Sequence, residues 1–153
     1  MKIIKTFKSL SAEETVRLGF DFGREILRRG SQENRAIVVT FRGELGAGKT
    51  TFIAGMARGL GIKKRMQSPT FVFVRRFCLK GSVFENFFHI DAYRVKKGDK
   101  SDFLSLQKIL VSPKNIIAVE WPQRISGRFF GGATKITMKH LQGEEKRAIK
   151  ISC

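Results

Sequence analysis

The chain has 153 residues, of which 42% are hydrophobic and 28% are charged, a composition that excludes an intrinsically disordered protein. We expect one folded domain over residues 1–153, long enough to bury a single core. No apolar run is long enough for a membrane span and charges interrupt the first eight residues, so we expect neither a membrane helix nor a secretory signal. The two cysteines, Cys78 and Cys153, are isolated, which favours a reduced, cytoplasmic protein.

The net charge of +17 at pH 7 is extreme for a chain of this length. Basic residues are dense at 63–65, at 75–76 and at 96–97. A charge of this sign attracts RNA or an acidic partner. A lysine-rich surface that is simply solvated gives the same total, so the net charge alone does not choose between these interpretations.

The N-terminal half alternates predicted strands and helices. A short strand is predicted over residues 2–7, followed by a helix over 11–30 that begins with a capping box closed by Glu14 and ends at a glycine. The β-branched, apolar segment 36–42 predicts a buried strand. Residues 52–60 carry apolar side chains at helical spacing and predict a second helix.

The C-terminal half is richer in strands. Two segments rich in Phe and Val predict a hairpin, and a short helix, an apolar strand, a Gly-rich loop and a second hairpin follow. In order, these elements are strands 71–79 and 83–90, helix 101–110, a strand from 115 that ends before Pro122, loop 123–133, and strands 134–140 and 146–152.

The segment Gly43–Thr51, GELGAGKTT, lies between the second predicted strand and the second predicted helix. Two glycines separated by four residues and followed by Lys and Thr have the spacing of a P-loop. Glycines allow successive backbone N–H groups to curl around a phosphate, and the helix N-terminus adds its unpaired amides and its positive dipole end. Lys49 would reach the β- and γ-phosphates, and the Thr50 hydroxyl would ligate Mg²⁺. The motif therefore predicts a nucleoside triphosphate site.

The motif and the order of the elements together predict the fold class. We expect an α/β fold with a single P-loop NTPase-like domain. Its mixed central sheet would carry an antiparallel hairpin after the P-loop helix and a C-terminal hairpin, with helices on both faces.

Two acids stand at the ends of predicted strands, Asp91 and Glu120. The position of Glu120 is typical of a Walker-B-type acid, which lies beside the phosphates and holds or orients Mg²⁺. Asp91 belongs to a charged cluster at a strand end, where an α/β sheet places ligand-binding groups. The alternatives are that Asp91 only caps the following turn and that Glu120 is a surface residue.

The residues around these acids give weaker signals. A lone histidine on an apolar strand is more often a satisfied core residue, so His89 is interpreted mainly as structural. Tyr93 and Arg94 fit packing and site roles equally well, and Arg94 is a candidate internal arginine finger. Trp121 is interpreted as a packing residue with a secondary role at the site.

Four segments, in this order, resemble the TsaE family of small P-loop ATPases. They are GELGAGKTT at 43–51, SPTF at 68–71, HIDAYR at 89–94 and VEWP at 119–122. The resemblance covers most of the chain. In one departure, residues 95–101 are basic where the family usually carries an acidic segment.

The resemblance implies a set of site residues. It implies that Thr50 and Glu120 ligate the metal. The implied catalytic residues are Lys49, Asp91 and Glu120, of which Asp91 is an essential acid. The implied phosphate cradle comprises Glu44, Leu45, Gly46, Ala47, Gly48, Lys49, Thr50 and Thr51. Around the rest of the nucleotide, the resemblance implies Thr70 near the γ-phosphate, Trp121 beside the nucleotide, and Thr15 and Arg147 near the base.

The resemblance also implies an activity. It implies Mg²⁺-dependent ATP hydrolysis, slow in the isolated protein, that supports the threonylcarbamoyladenosine modification of tRNA next to the anticodon. The implied partners are TsaB-like and TsaD-like proteins, with tRNA bound through the complex. The basic charge of the chain leaves direct contact with tRNA open as well. Two alternatives stay open: a small-molecule P-loop kinase in which Asp91 and Arg94 bind the acceptor, and a nucleotide-gated RNA-binding module.

Overall fold

The computed structural model describes residues 4–31, 33–66, 73–96, 103–143 and 145–153. The helices and strands of these ranges are, in chain order, β1 (Ile4–Ser9), α1 (Ala12–Arg29), β2 (Ile37–Arg42), α2 (Lys49–Gly59), β3 (Val74–Cys78), β4 (Asn86–Asp91), α3 (Phe103–Leu110), β5 (Asn115–Glu120), β6 (Thr134–His140) and β7 (Arg147–Ser152). Two short 3₁₀ helices, Pro122–Arg124 and Gly127–Phe130, lie between β5 and β6. Among the described residues no helix is both long and apolar enough to cross a membrane.

The described strands form one mixed sheet in the order β1-β7-β6-β2-β5-β4-β3. The central strand β2 pairs in parallel with β5 and β6, and β5 pairs in parallel with β4. The pairs β1–β7, β6–β7 and β3–β4 are antiparallel. Because β2, β4 and β5 run in the same direction, the residues that follow these three strands meet at one edge of the sheet.

Two apolar cores cover the two faces of the sheet. On one face, α1 and α2 pack over Val39, Phe41 and Ile136. On the other face, α3 and the 3₁₀ helices pack over Val38, Ile117 and further residues of β2, β4 and β5. Helices therefore lie on both faces, as the sequence predicts.

The ends of α1 show why this helix forms where it does. The Ser11 side chain accepts a hydrogen bond from the Glu14 backbone N–H, as the capping box predicts. The Glu14 carboxylate accepts from the Leu10 N–H, one residue before the N-cap, at 2.7 Å. At the other end, Gly30 takes a φ of +66° and donates its N–H to the Ile26 carbonyl.

Glycines bring α1 and α2 into backbone contact. A Cβ on Gly19 would lie 2.1 Å from the Phe52 carbonyl oxygen, and a Cβ on Gly55 would lie 2.0 Å from the Val16 carbonyl oxygen. Gly23 and Gly59 repeat this arrangement one turn further along their helices. A side chain of any size would push the helices apart, so these glycines fix the position of α2, which begins at the P-loop.

The structure confirms the predicted fold class, with both hairpins and the mixed sheet in place. Several details differ from the prediction. Strand β1 ends at Ser9 rather than at residue 7. Helix α2 begins at Lys49 rather than at residue 52, because Gly48 serves as its N-cap in the left-handed conformation. Strand β4 begins at Asn86, three residues later than predicted, and the predicted loop 123–133 contains 3₁₀ turns. The start of the predicted strand 71–79 lies outside the described residues.

Candidate functional site

The P-loop connects the end of β2 to the start of α2, as its sequence requires. Gly43, Gly46 and Gly48 have φ values of +154°, +76° and +93°, which L side chains rarely adopt. A Cβ on Gly43 would also lie 2.5 Å from the Met138 carbonyl oxygen on β6. The loop thus curls over the N-terminus of α2, where the first amides of a helix have no intrahelical acceptor.

Lys49 lies under the loop and is almost fully buried. Its Nζ donates to the carbonyl oxygens of Gly43 and Glu44 at 2.7 and 2.9 Å, which leaves one of the three ammonium hydrogens for a ligand. The ammonium also lies 4.3 Å from the centre of the Trp121 ring. Burial lowers the pKa of Lys49 below the ordinary lysine value, and the nearby charges of Glu120 and Asp91 oppose that shift.

Glu120 ends β5 directly beside the first turn of α2. The Thr50 hydroxyl donates to its two carboxylate oxygens, at 3.0 and 3.2 Å. The Glu120 side chain is 4% exposed, so the alternative of a surface residue is wrong. A carboxylate and a threonine hydroxyl, in contact beside this glycine-rich loop, are oxygen donors of the kind that Mg²⁺ prefers.

His89 is completely buried and contacts the same carboxylate. Its Nε2 lies 2.8 Å from Glu120 Oε1, and its Nδ1 has no hydrogen-bond partner among the described residues. The complete burial of His89 fits the interpretation as a core residue, but its one hydrogen-bond partner among the described residues is a predicted site acid. The sequence carried part of the signal, since His89 precedes Asp91 by two residues and alternate strand residues share a face, but it did not indicate the contact with Glu120.

Asp91 lies opposite Glu120 in the register between β4 and β5. Its Oδ1 accepts the Tyr93 backbone N–H at 2.9 Å, so the acid does cap the turn that follows β4. Its negative charge also lies close enough to Lys49 to oppose the lowering of that lysine's pKa by burial. The position of Asp91 is therefore compatible both with capping the turn and with a role at the site.

Trp121 is held in an unusual conformation immediately after Glu120. Its φ of +57° is the one positive value among the non-glycine residues described, and this region is costly for a bulky side chain. The Trp121 N–H bonds the Phe41 carbonyl, and the ring lies 5.0 Å from that of Tyr93. This backbone turn aims the indole at the Lys49 ammonium, beside the P-loop.

Arg147 and Thr15 border the other side of the loop. The Arg147 guanidinium donates to the carbonyl oxygens of Ala47 and Gly46 at 3.1 and 3.2 Å. The buried Thr15 hydroxyl lies 2.8 Å from the Ser9 hydroxyl. A Cβ on Gly48 would contact both Arg147 and Thr15, so the two residues pack against the loop from α1 and β7.

The remaining predicted residues differ in exposure. Glu44, Leu45 and Gly46 are exposed at the tip of the loop, and Thr51 is half-buried on α2. Thr70 and the SPTF segment lie outside the described residues, as does most of the basic segment 95–101.

The protein side chains alone do not complete a metal site. Within the described ranges no group of three His, Cys, Asp or Glu side chains is arranged to hold a metal ion. A cation at Thr50 and Glu120 would take its other ligands from phosphate oxygens and water, which is how Mg²⁺ is usually bound in nucleotide sites. The donors present therefore fit Mg²⁺ delivered with a nucleotide.

A cavity of about 570 Å³ lies elsewhere, between α1 and the sheet. Its walls include the apolar side chains of Phe7, Leu18 and Phe22, and no residue of the P-loop lines it. It is therefore separate from the nucleotide site that the motif predicts.

Comparison with known proteins agrees with the motifs. The sequence profile of the family described as "Threonylcarbamoyl adenosine biosynthesis protein TsaE" matches residues 9–149. A "tRNA threonylcarbamoyladenosine biosynthesis protein TsaE" from Aquifex aeolicus is 35% identical over 127 residues, 81% of each chain. The protein of the same description from Treponema pallidum is 34% identical over 134 residues, 87% of this chain and 90% of the relative. That from Bacillus subtilis is 35% identical over 115 residues, 75% and 68% of the two chains.

A solved structure supports the same fold. The crystal structure of YdiB from Bacillus subtilis superimposes with a TM-score of 0.76 at 24% identity and covers 100% of this chain and 87% of that one. At this identity the likeness shows the fold alone. The profile match over residues 9–149 and the identity to these relatives show that the chain belongs to the TsaE family of tRNA threonylcarbamoyladenosine biosynthesis.

Proposed function

We propose that residues 1–153 form one P-loop ATPase domain that binds and hydrolyses MgATP in support of the threonylcarbamoyladenosine modification of tRNA. The observation that carries this proposal is the contact between Thr50 and Glu120. The Thr50 hydroxyl on the P-loop helix lies 3.0 Å from a buried carboxylate on a neighbouring strand. Two elements distant in sequence thereby present hard oxygen donors at one phosphate-binding loop.

The P-loop residues would bind and neutralise the triphosphate. The N–H groups of the loop and of the first turn of α2 donate to phosphate oxygens, and Lys49 adds a positive charge that two carbonyls hold in place. Thr50 and Glu120 would hold Mg²⁺. When bound, the ion would supply positive charge against the negative charge that develops on the phosphate oxygens.

Hydrolysis also needs a group that orients water. Asp91 is half-exposed, lies opposite Glu120 and faces Lys49, so we assign it to the water that attacks the γ-phosphorus. The products are ADP and inorganic phosphate. His89, which is completely buried, would position Glu120 through its 2.8 Å contact without touching the nucleotide.

The other residues of the site would contact the rest of the nucleotide. Trp121, which lies over Lys49, packs beside the nucleotide, while Thr15 and Arg147 approach the base from their side of the loop. We assign Thr70 to the γ-phosphate side. The protein would act in the cytoplasm with TsaB-like and TsaD-like partners, and its ATP hydrolysis would drive turnover of the complex while the TsaD-like protein transfers the threonylcarbamoyl group.

The test measures phosphate release from MgATP and tRNA modification in a mixture reconstituted with TsaB-like and TsaD-like proteins. We expect Lys49→Ala and Glu120→Ala to abolish sustained modification and phosphate release. Circular dichroism should show that both variants retain the fold. Full modification by either variant would contradict the proposal.

The same assay separates the alternatives. Release of phosphate without any added acceptor supports an ATPase, whereas a strictly acceptor-dependent reaction would identify a kinase. Nucleotide-dependent tRNA binding without turnover in the complete mixture would identify a binding module.

A further inference from the structure

One face of the sheet is covered only over part of its width. The second core, beneath α3, contains residues of β2, β4 and β5 but none of β1, β6 or β7. The outward lysines of those three strands are accordingly exposed: Lys8, Lys135, Lys139 and Lys150 all face solvent. With Arg42 at the end of β2, these four lysines make up what we call the open basic face.

The strand register arranges this face as a regular grid. The outward residues form three cross-strand rows: Lys139, Ala148 and Lys8; Arg42, Thr137, Lys150 and Thr6; and Lys135, Ser152 and Ile4. Neighbouring strands are about 4.8 Å apart and alternate residues along a strand about 6.8 Å apart. Each cation has uncharged residues directly beside it in its row, so the like charges are spread across the face rather than placed opposite one another.

The charge of this face is not compensated within the described parts of the chain. β1, β6 and β7 contain no Asp or Glu. None of the salt bridges between described residues involves a cation of the open basic face. Arg42, Lys135 and Lys150 line one depression of about 180 Å³ together with Thr137, Ser152 and Ile4. Three cations and two hydroxyls around one depression are suited to phosphate oxygens.

The chemistry of the face favours the backbone of RNA over other anions. No outward residue of the three described strands is aromatic, so the face has no platform on which unpaired bases stack. Ile4 is its one large apolar residue, whereas a protein partner would need an apolar centre to the interface. A wide surface of cations and hydroxyls matches double-stranded RNA, which proteins recognise through shape, phosphates and 2′-hydroxyls.

We propose that the open basic face binds the sugar-phosphate backbone of an RNA stem, as presented by tRNA. This inference rests on membership of a tRNA-modification family and not on ATP hydrolysis, so either can fail without the other. Arg42 directly precedes Gly43, and therefore RNA on this face would border the P-loop.

The experiment compares two triple variants that remove the same charge from different places. Lys135→Thr, Lys139→Thr and Lys150→Thr are combined in the test variant, and threonine suits an exposed strand position. Lys63→Thr, Lys64→Thr and Arg65→Thr, on the exposed segment after α2, form the matched control. Binding of each protein to a fluorescent, unmodified tRNA transcript is measured by anisotropy across a potassium chloride series.

We expect the test variant to bind tRNA at least about tenfold more weakly at 0.1 M salt, with the slope of log K against log salt reduced by about two to three units. Both variants lose three of the positive charges that give the net charge of +17. The control should nevertheless change the affinity for tRNA by less than about threefold, because its three residues lie outside the open basic face. Equal losses in the two variants, or none in the test variant, would overturn the assignment.

Two further measurements sharpen the result. In the native protein, bound tRNA should protect Lys135, Lys139 and Lys150 from acetylation, which is measured by mass spectrometry. If tRNA leaves the acetylation of these lysines unchanged, the proposal is overturned, and this test needs no variant. An RNA hairpin stem should compete better than a single strand or a polyglutamate of equal charge. Competition by polyglutamate that equals the stem would instead indicate an acidic protein partner and overturn the proposal.

Discussion

Gly55→Ala tests how tightly α1 fixes the helix that carries Lys49 and Thr50. The new methyl group would lie 2.0 Å from the Val16 carbonyl oxygen, whereas comfortable contact needs about 3.5 Å, so the helices must part by more than about 1 Å. Overpacking of this kind costs about 1–3 kcal/mol or more, and the better helix propensity of alanine returns up to about 1 kcal/mol. We expect a net loss of about 2 kcal/mol, which lowers Tm by about 4–8 °C for a chain of this size.

The same displacement should reach the site. Gly55 lies five residues along α2 from Thr50, about 7.5 Å, so a shift of the helix changes the 3.0 Å contact between Thr50 and Glu120. The assays are thermal unfolding and calorimetric MgADP binding. Gly131→Ala is the matched control, because its φ is −57° and nothing lies within 4 Å of the added methyl group. A Gly55→Ala protein as stable as this control would refute the idea that the glycine contacts hold α2 in place.

Three further predictions concern the surroundings of the phosphate site. His89→Leu should weaken Mg²⁺-dependent nucleotide binding about 10–100-fold. His89→Gln should largely retain this binding, because glutamine, unlike leucine, can still donate a hydrogen bond to Glu120. Equal results for the two variants in Mg²⁺ titrations would exclude a positioning role for His89. The pKa of the Lys49 side chain, measured by NMR, should lie below the ordinary lysine value. Glu120→Gln should lower this pKa further, because it removes a negative charge that favours the protonated lysine. A higher Lys49 pKa in Glu120→Gln would contradict the geometry. Arg147→Met should cost about 1–2 kcal/mol of ADP affinity in calorimetry, since two loop carbonyls lose a charged donor, and an unchanged Kd would show that the loop holds its shape alone.

Local sequence carried much of the fold prediction. The glycine spacing of 43–51, the apolar strand that ends at Glu120 and the two turn signals each depend on residues close together in the chain, and each element was found. The order of the strands depends on pairings between distant segments, such as β1 with β7, and no local pattern encodes them.

The residues of the site likewise differ in whether local sequence could predict them. Lys49 and Thr50 are recognisable from one motif, whereas the His89–Glu120 contact requires the register between β4 and β5. Arg147 reaches the loop from 100 residues away, which no spacing within the loop predicts. The net charge of +17 indicated an anionic partner, but only the sheet register shows that five of those cations share one uncovered face.

The central claim is that Thr50 and Glu120 hold a magnesium ion with the triphosphate, and calorimetric binding of a non-hydrolysable ATP analogue tests it most directly. The native protein and Glu120→Gln are each titrated with and without Mg²⁺. We predict that Mg²⁺ strengthens binding to the native protein and that Glu120→Gln loses this gain while its Mg²⁺-free affinity is maintained, because the loop and Lys49 are intact. An equal Mg²⁺ effect in the two proteins would contradict the account.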